Sequence, residues 1–348
     1  MTATLPPRAT MKDVAALAGV SIKTVSNVVT GTVSVREETR ARVESAMMQL
    51  DFVPNLSARG LRKGRSGIIA VALPDLATAF SAELMHRIVE AAHERGLAVQ
   101  IEETASVPER EKELVSRARA HLVDGLILNP IRLEDSVIKY SDRLPPLVVI
   151  GEVEQNRADH VRIDSRLAAA DATRHLLSRG ATRIAVVGAD DDPSVATATS
   201  RLRLEGIHDA LRDAGIARDP ALEVNRLPWS MAGGADAART LLARGVAFDG
   251  IVALTDSLAL GALHTLHDHG IRVPDDVLVT GFDDVEFSKY TSPSLTSVAF
   301  DRRAFAEAAL GLLESRMDDR STPPRALTLS HHLLERASTD GRPRGYRP

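Results

Sequence analysis

The chain has 348 residues, of which 44% are hydrophobic and 26% charged, so it is long enough for two or three folded domains and too apolar for a disordered protein. It contains no cysteine, which excludes disulfide frameworks, thiol catalysis and cysteine-ligated metal sites. The formal net charge is −4, but residues 1–66 carry ten Lys and Arg against five Asp and Glu, so a basic N-terminal part precedes an acidic remainder.

This charge asymmetry is typical of a small anion-binding domain attached to a larger acidic one. The first residues lack the basic and apolar regions of a signal peptide, and no stretch approaches 18 uninterrupted apolar residues. We therefore expect a cytoplasmic protein that has no membrane partner.

Three short helices are predicted between residues 10 and 50. Thr10 and Asp13 form a capping box that begins the first helix, and Gly19 ends it. Ser21 begins the second helix after a tight turn. Two helices joined in this way have the spacing of a helix-turn-helix motif.

The third helix is predicted from a further capping box, formed by Ser34 and Glu37. Apolar residues recur at helical spacing after it and can close a three-helix core. A small helical bundle with a solvated polar face would show the same periodicity, so both interpretations stay open at this point.

The second helix has a polar outer face that would suit the major groove of DNA. Its early outward side chains would face base edges, and its hydroxyl groups could donate hydrogen bonds to phosphate oxygens. The base-facing candidates are Ile22, Lys23 and Asn27, and the phosphate-facing candidates are Ser21, Thr24 and Ser26.

A short basic segment follows at residues 54–64, with the pattern of about two helical turns. It should fold only against a partner, because isolated helices shorter than about 12 residues are marginal in water. Leu61 between Arg59 and Arg62 is what a wedge in a DNA minor groove requires, with cations that neutralise phosphates. An ordinary basic linker between domains is the alternative.

In order and spacing these motifs resemble the DNA-binding head and hinge helix of the lactose-repressor (LacI/GalR) family of bacterial transcription regulators. The resemblance implies a homodimer on double-stranded operator DNA, with Leu61 inserted between central base pairs, Ala58 in the same minor groove and Asn55 as a further DNA-binding residue. Many relatives carry an arginine where this chain has Asn27, so an adenine contact becomes the better expectation there. The residues that carry the resemblance are Asp13-Val14-Ala15, Ala18-Gly19-Val20-Ser21, Thr24-Val25-Ser26, Pro54-Asn55, Ala58 and Leu61.

From residue 67 the sequence alternates apolar runs with helical patterns, which predicts βα units and parallel, doubly wound sheets. The run is too long for one small sheet, and its two similar halves suggest two lobes with a cleft between them. The predicted strands are 68–73, 99–101, 126–128, 147–150, 184–187, 251–254 and 277–279.

The predicted fold class is therefore α/β, with an N-terminal three-helix head and hinge helix before two lobes that resemble periplasmic binding proteins. The basic, Pro- and Gly-rich end of the chain, 341–348, is expected to be disordered. The expected domains are a helix-turn-helix domain at 1–53, a hinge helix and linker at 54–66, and an effector-binding and dimerisation domain at 67–340. Within the last, the first lobe would comprise about 67–164 and 302–325, and the second lobe about 165–298 and 326–340.

Ligands of open α/β sheets bind beyond the carboxyl ends of the strands, so the residues directly after the apolar runs are candidates for a binding site. Sugars are held by carboxylate, amide and guanidinium groups around an aromatic face. Each such residue taken alone could equally be a cap, a surface residue or core. The candidate effector-binding residues are Phe80, Asn129, Glu152, Arg203, Trp229, Thr255, Asp283 and Phe300.

The resemblance extends through the body and implies an effector bound between the lobes. It places the family's ligand arginine at Arg203, its aspartate at Asp283, its asparagine at Asn129 and its stacking aromatic at Trp229. The matching residues are Arg203-Leu204-Glu205-Gly206, Thr255-Asp256 and Gly281-Phe282-Asp283-Asp284, and the departures are Thr78-Ala79-Phe80-Ser81, Gly151-Glu152 and Thr255. Because of these departures, the effector cannot be copied from a familiar relative.

Enzyme classes are disfavoured, because the sequence has no Gly-x-Gly-x-x-Gly after a strand, no Gly-Lys-Ser/Thr phosphate loop and no Gly-x-Ser-x-Gly elbow. His264, His267 and His269 only partly share one helix face, so we expect neither a metal site there nor a cofactor. We predict a sugar-responsive transcriptional repressor that is not an enzyme. The alternatives are a sugar-binding protein, which would need an export signal and no basic head, and a sugar-processing enzyme.

Overall fold

The computed structural model describes residues 9–30, 33–52, 65–132, 134, 136–141, 143–189, 197–224 and 228–347. The chain divides into two units, Met1–Gly67 and Ile68–Pro348, which we call the head and the body. The predicted hinge at 54–64, with Asn55, Ala58 and Leu61, lies outside the described residues.

The head contains α1 (Met11–Ala18), α2 (Ile22–Thr30) and α3 (Glu37–Gln49). The predicted capping box is confirmed: the Thr10 amide donates to Asp13 Oδ2 at 2.8 Å, and the Asp13 amide donates to Thr10 Oγ1 at 3.4 Å. Gly19 at the end of α1 has a φ of 65°, a left-handed conformation that turns the chain sharply toward α2. The helices share one apolar core, whose buried members are Val14, Ala15, Ala18, Val25, Val28, Val43 and Ala46.

The predicted capping box at Ser34 is wrong. The third helix begins at Glu37 with Arg36 as its N-cap, and no side chain caps it. Ser34 lies two residues before the N-cap, outside the position from which a hydroxyl accepts the amides of the first turn. Glu37 and Glu38 occupy that turn instead, where carboxylates favour the positive end of the helix dipole.

Two six-stranded sheets form the centre of the body. The first contains β1 (Ile68–Leu73), β2 (Ala98–Glu103), β3 (Gly125–Leu128), β4 (Leu147–Ile150), β5 (Asp159–Ile163) and β11 (Ala326–Leu329). The second contains β6 (Ile184–Val187), β7 (Glu223–Val224), β8 (Gly250–Ala253), β9 (Leu278–Phe282), β10 (Thr296–Phe300) and β12 (His331–Leu334).

The two sheets have equivalent strand orders, β11-β5-β4-β3-β1-β2 and β12-β10-β9-β8-β6-β7. All neighbouring strands are parallel except β12, which runs antiparallel to β10. The predicted strands are confirmed, and their starts agree with the structure to within one residue. Strands β5, β7, β10, β11 and β12 were not predicted.

Helices cover both faces of the first sheet, because alternate residues of β1 enter separate apolar clusters. Ile69 and Val71 pack in one cluster with residues of the helices Ala79–Glu94 and Arg302–Asp318, and Ala70 and Ala72 pack in another with residues of the helix Pro108–Arg119. This arrangement confirms the predicted α/β fold class. The helices of the body are α4 (Ala79–Glu94), α5 (Pro108–Arg119), α6 (Val137–Tyr140), α7 (Ser165–Ser178), α8 (Ala198–Asp213), α9 (Met231–Ala243), α10 (Asp256–Asp268) and α11 (Arg302–Asp318).

The predicted lobe boundary at residue 326 is wrong. Strand β11 belongs to the first sheet, where it pairs with β5, and the chain enters the second sheet only at β12. Asp159 on β5 explains this placement, since it lies 2.9 Å from Arg316 Nε and 3.6 Å from Arg325 Nε, on either side of the return to the first sheet.

The prediction of a disordered tail at 341–348 is also wrong for the residues up to 347. The backbone of Tyr346 pairs with that of Phe248, and the two ring centroids lie 5.3 Å apart. The Arg344 amide donates to the Asp275 carbonyl at 2.9 Å. An aromatic anchor and backbone hydrogen bonds therefore hold a basic, Pro-rich segment on the second lobe.

Candidate functional site

Helix α2 presents its predicted polar face to solvent. Ser21 caps the helix, because its Oγ accepts the Thr24 amide at 3.1 Å, while Val25 and Val28 on the opposite face are buried. Ser21, Ile22 and Lys23 are exposed, and Thr24, Ser26 and Asn27 are half-buried. The face is therefore available to a ligand, and its contact with DNA stays a prediction.

A cavity of about 190 Å³ lies between the two lobes of the body, which we call the cleft. It forms where strands of both sheets end, as the rule for open α/β sheets predicts. Asn129 directly follows β3, Glu152 follows β4 after one residue, and Asp283 directly follows β9. All the candidate effector-binding residues line it: Phe80, Asn129, Glu152, Arg203, Trp229, Thr255, Asp283 and Phe300.

Other residues that line the cleft were missed by the strand-end search. Thr199 and Ser257 belong to the first turns of α8 and α10, where the only signal in the sequence is a hydroxyl residue just inside a helix start. The apolar members come from helices, from loops and from the ends of strands, and they carry no such signal. The missed residues are Pro74, Ser81, Leu84, Ile131, Ile150, Ile163, Thr197, Thr199, Ser257 and Phe305.

Arg203 lies at the centre of the polar contacts and is only 5% exposed. Its Nη1 donates to the Leu254 carbonyl, and its Nη2 lies 3.6 Å from both Glu152 Oε1 and Asp283 Oδ1. The guanidinium carbon stacks 3.3 Å from the centroid of the Phe282 ring. Its buried Nε has no hydrogen-bond partner among the described residues.

Glu152 connects the two lobes. It follows β4 of the first lobe, yet its carboxylate accepts hydrogen bonds from Ser165 at 2.6 Å and from Thr199 at 2.9 Å. Ser165 and Thr199 lie in the first turns of α7 and α8, and Arg203 lies one turn further along α8; both helices pack on the core of the second lobe. One carboxylate of the first lobe thus contacts the second lobe through three side chains.

Asp283 is buried in a strained turn. It has a φ of 107°, and the next residue, Asp284, has a φ of 50°, both unusual for residues other than glycine. Burial raises the pKa of Asp283 to about 7, although the nearby Arg203 acts in the opposite direction. Burial likewise raises the pKa of the neighbouring Asp256 to about 6, against the hydrogen bonds that Ser297, Ser288 and the Val285 amide donate to it.

The turn around Asp283 is tied to the first lobe by a second contact. Arg302, at the start of α11, donates to the Asp283 carbonyl and lies 3.4 Å from Glu83 on α4. Glu83 also accepts the backbone amide of Glu286 at 2.7 Å. Arg302 thus links the backbone of Asp283 to Glu83 on α4.

Aromatic side chains form the apolar wall of the cleft. The rings of Phe80 and Phe300 meet edge to face with centroids 6.2 Å apart, and Phe305 lies 5.4 Å from Phe300. Trp229 is partly buried and packs against the core of the second lobe. The cleft thus combines an aromatic wall with a cluster of charged groups.

Gly151 keeps Asn129 in its place. Gly151 has a φ of 91°, and a Cβ at this position would lie 2.6 Å from Asn129 Oδ1. The Gly151 carbonyl accepts a hydrogen bond from His160 Nε2 at 2.7 Å. Burial lowers the pKa of His160, which favours the neutral imidazole that makes this contact.

The described segments contain no group of His, Asp or Glu placed to hold a metal ion, and no helix with the length and apolar character needed to cross a bilayer. His264 is exposed and lies 3.3 Å from Asp268.

Comparisons with known proteins match both units of the chain. Residues 10–55 match the family model described as bacterial regulatory proteins, lacI family, and residues 173–339 match the periplasmic binding protein-like domain. The HTH-type transcriptional regulator GalR of Escherichia coli K12 is 32% identical over 95% of this chain and 95% of its own length.

Solved structures show the same likeness over nearly the whole chain. A complex of the transcriptional regulator CelR with cellobiose is 30% identical, has a TM-score of 0.70 and covers 95% of this chain and 100% of its own. The lac repressor dimer bound to operator and the anti-inducer ONPF is 27% identical, has a TM-score of 0.81 and covers 95% of this chain and 99% of its own.

Proposed function

The chain belongs to the LacI family of bacterial regulatory proteins and is a DNA-binding transcriptional regulator, and we propose that it is a repressor whose operator affinity changes when a sugar binds in the cleft. The observation that supports this most strongly is Arg203. It lies between carboxylates of both lobes and beside an aromatic wall. Such a constellation suits a ligand rich in hydroxyl groups.

A sugar in the cleft would act by favouring one relative orientation of the lobes. Glu152 and Arg302 both join the lobes beside the ligand residues, so a ligand that changes either contact changes the free-energy difference between lobe orientations. Coupling of this kind is typically worth about 1 to 3 kcal/mol, which is about 5- to 150-fold in operator affinity.

The partners in this proposal are operator DNA and a second copy of the chain. The head contains a helix-turn-helix, and the lac repressor neighbour is a dimer on its operator, so we propose a homodimer on a two-fold symmetric site. We place the protein in the cytoplasm, where such DNA lies. The relatives reported above are regulators by name, and we propose no enzymatic activity.

The DNA-binding part of the proposal is tested with an operator selected from random DNA by the full-length protein. We expect Lys23→Ala and Asn27→Ala to weaken binding to the selected operator by about 1 to 3 kcal/mol each and to affect random DNA far less. The control is Lys112→Ala, an exposed lysine on α5 of the body. Equal losses on both DNAs would show that these side chains contact only the DNA backbone.

The ligand part is tested by measuring operator affinity against a panel of sugars. A sugar that changes the affinity of the unmodified protein should no longer do so with Asn129→Ala, whereas Asn156→Ala, an exposed asparagine of the body, should respond normally. A response that survives Asn129→Ala at the same sugar concentration would place the effector site elsewhere.

A further inference from the structure

We propose that the cleft selects an uncharged ligand of a single sugar ring and that Glu152 is the residue that rejects phosphorylated and other anionic sugars. This rests on the proposed function, since it names the class of sugar that the same site takes. Three observations support it: the balance of charge in the cleft, the way Glu152 is held, and the volume of the cavity.

The charges that line the cleft are mostly negative. Among the described residues that line the cleft, the acidic side chains are Asp75, Glu152 and Asp283, and the one cation is Arg203. Arg203 already contacts both buried carboxylates and the Leu254 carbonyl. An incoming phosphate or carboxylate would therefore find no described cation that is not already neutralised.

Glu152 cannot easily give way to such a group. Its two oxygens are occupied by the Ser165 and Thr199 hydroxyls as well as by Arg203, and its side chain is only 12% exposed. An anion that displaced Glu152 from Arg203 would leave a buried carboxylate without its cation, which is strongly unfavourable. An anion that did not displace it would lie beside two carboxylates, and like charges in contact oppose binding.

The raised pKa of Asp283 shows that burial opposes negative charge in the cleft. Burial is the main reason why that pKa rises to about 7; Arg203 and Arg302 lower it, and Asp256 adds a smaller increase. An anionic ligand would bring a further charge into the same buried cluster.

Neutral hydroxyl groups meet no such obstacle. A hydroxyl both donates and accepts a hydrogen bond, so it can donate to the carboxylates that line the cleft and accept from a neutral donor such as the Asn129 amide. Neutral polar groups complete the lining, including Asn129 and Ser257. The polar groups of the cleft thus suit a ring of hydroxyls.

The volume of the cavity favours a small ligand. The cavity of about 190 Å³ lies below the roughly 300 to 1,000 Å³ of pockets for drug-sized ligands. In the lobe orientation that the structure describes, the cavity therefore suits one sugar ring better than two.

The experiment measures binding and operator affinity of the full-length protein with a three-part panel. The first part contains neutral pentoses and hexoses, the second their phosphate esters and uronic acids, and the third disaccharides such as cellobiose. We expect a neutral single-ring sugar to bind and to change operator affinity, its phosphate ester to bind at least about tenfold more weakly, and disaccharides to have no effect.

Glu152→Gln identifies the residue responsible. The amide keeps the size of the side chain and removes its charge, so the preference for the neutral sugar over its phosphate ester should fall by about tenfold. Glu154→Gln is the matched control, because the Glu154 side chain is 65% exposed and lies 3.5 Å from Arg201. It should leave the preference unchanged.

The outcomes separate this inference from the function on which it rests. A phosphate ester, uronic acid or disaccharide that binds more tightly than its neutral single-ring parent and changes operator affinity would overturn the ligand class and leave the proposed function intact. An unchanged preference in a folded Glu152→Gln variant would overturn the role of Glu152. A panel in which no sugar changes operator affinity would overturn both.

Discussion

The start of helix α1 and the centre of the cleft both join carboxylates to hydrogen-bond donors, but under opposite conditions. Thr10 and Asp13 lie three residues apart and form their contacts at an exposed helix end. Glu152, Arg203 and Asp283 come from three distant segments, and their side chains are 12%, 6% and 6% exposed. Water can replace a lost partner at the first place and has little access to the second.

The two regions differ in how much one polar contact contributes to the free energy of unfolding. At an exposed helix end a lost hydrogen bond is largely replaced by water, so the net contribution of each contact is small. In the cleft the loss of one group leaves another charge buried without its partner. Substitutions of similar chemistry should therefore have unequal effects in the two regions, and the predictions below test that ranking.

The largest effect is expected for Arg203→Ala. It leaves Glu152 and Asp283 buried without their cation, which should lower the free energy of unfolding by about 3 to 5 kcal/mol, measured by urea denaturation. The control is Arg201→Ala on the same helix, since Arg201 is 47% exposed and pairs with Glu205 at 3.0 Å. That exposed pair should contribute about 0 to 1 kcal/mol. Similar losses in the two variants would remove the distinction between buried and exposed charges.

The next effect concerns pH. The pKa of Asp283 is raised in the folded protein, so the folded state binds this proton more tightly than the unfolded state. Ionisation of Asp283 therefore destabilises the folded state. This loss of stability is absent below about pH 4, where Asp283 is protonated in both states, and complete above about pH 7, because the unfolded chain loses the proton first. Raising the pH from 5 to 8 should therefore lower the melting temperature, and by less in Asp283→Asn.

Measuring the unmodified protein and Asp283→Asn over the same pH range removes the contributions to stability of titrating groups that both proteins share. His160, whose pKa burial lowers, acts in the opposite direction, since it destabilises the folded state as the pH falls below its ordinary pKa of 6.5. That contribution is common to both proteins. Identical changes in melting temperature for the unmodified protein and Asp283→Asn would show that Asp283 titrates normally.

A smaller effect is expected for Gly151→Ala. The left-handed φ of 91° is strained for alanine, which should cost about 1 to 3 kcal/mol of unfolding free energy. Gly180→Ala is the matched control, because Gly180 has a φ of 96° and open space where the Cβ would lie. Both variants should lose stability, but only Gly151→Ala should also lose sugar binding, because its Cβ displaces Asn129. Normal sugar binding by Gly151→Ala would exclude Asn129 from the site.

The same contrast explains which features could be predicted from the sequence. The cap at Thr10 depends on residues within one helical turn, and the positions of Asn129 and Asp283 follow from where β3 and β9 end. Local pattern was sufficient for both. That these cleft residues bind an effector stays a prediction.

Features that depend on distant partners could not be predicted. Strand β11 joins the first sheet beside a contact between Asp159 and Arg316, which are 157 residues apart in the chain. The end of the chain is held by Tyr346 against Phe248, although its composition is that of a disordered tail. Ser34 is the opposite case. The sequence has the pattern of a capping box there, but the structure does not use it, because α3 begins at Glu37 with Arg36 as its N-cap.

The smallest effect is expected for Thr10→Ala, at the exposed start of α1. Removing an N-cap hydroxyl costs about 1 kcal/mol, because amides of the first turn lose their acceptor and only water replaces it. Hydrogen exchange of residues 11–18 in the full chain should accelerate about fivefold, with little change in the cleft. Ser34→Ala is the control, since α3 has Arg36 as its N-cap and should exchange at an unchanged rate. An unchanged rate in α1 after Thr10→Ala would mean that packing against the core of the head, through Val14 and Ala18, holds α1 without its cap.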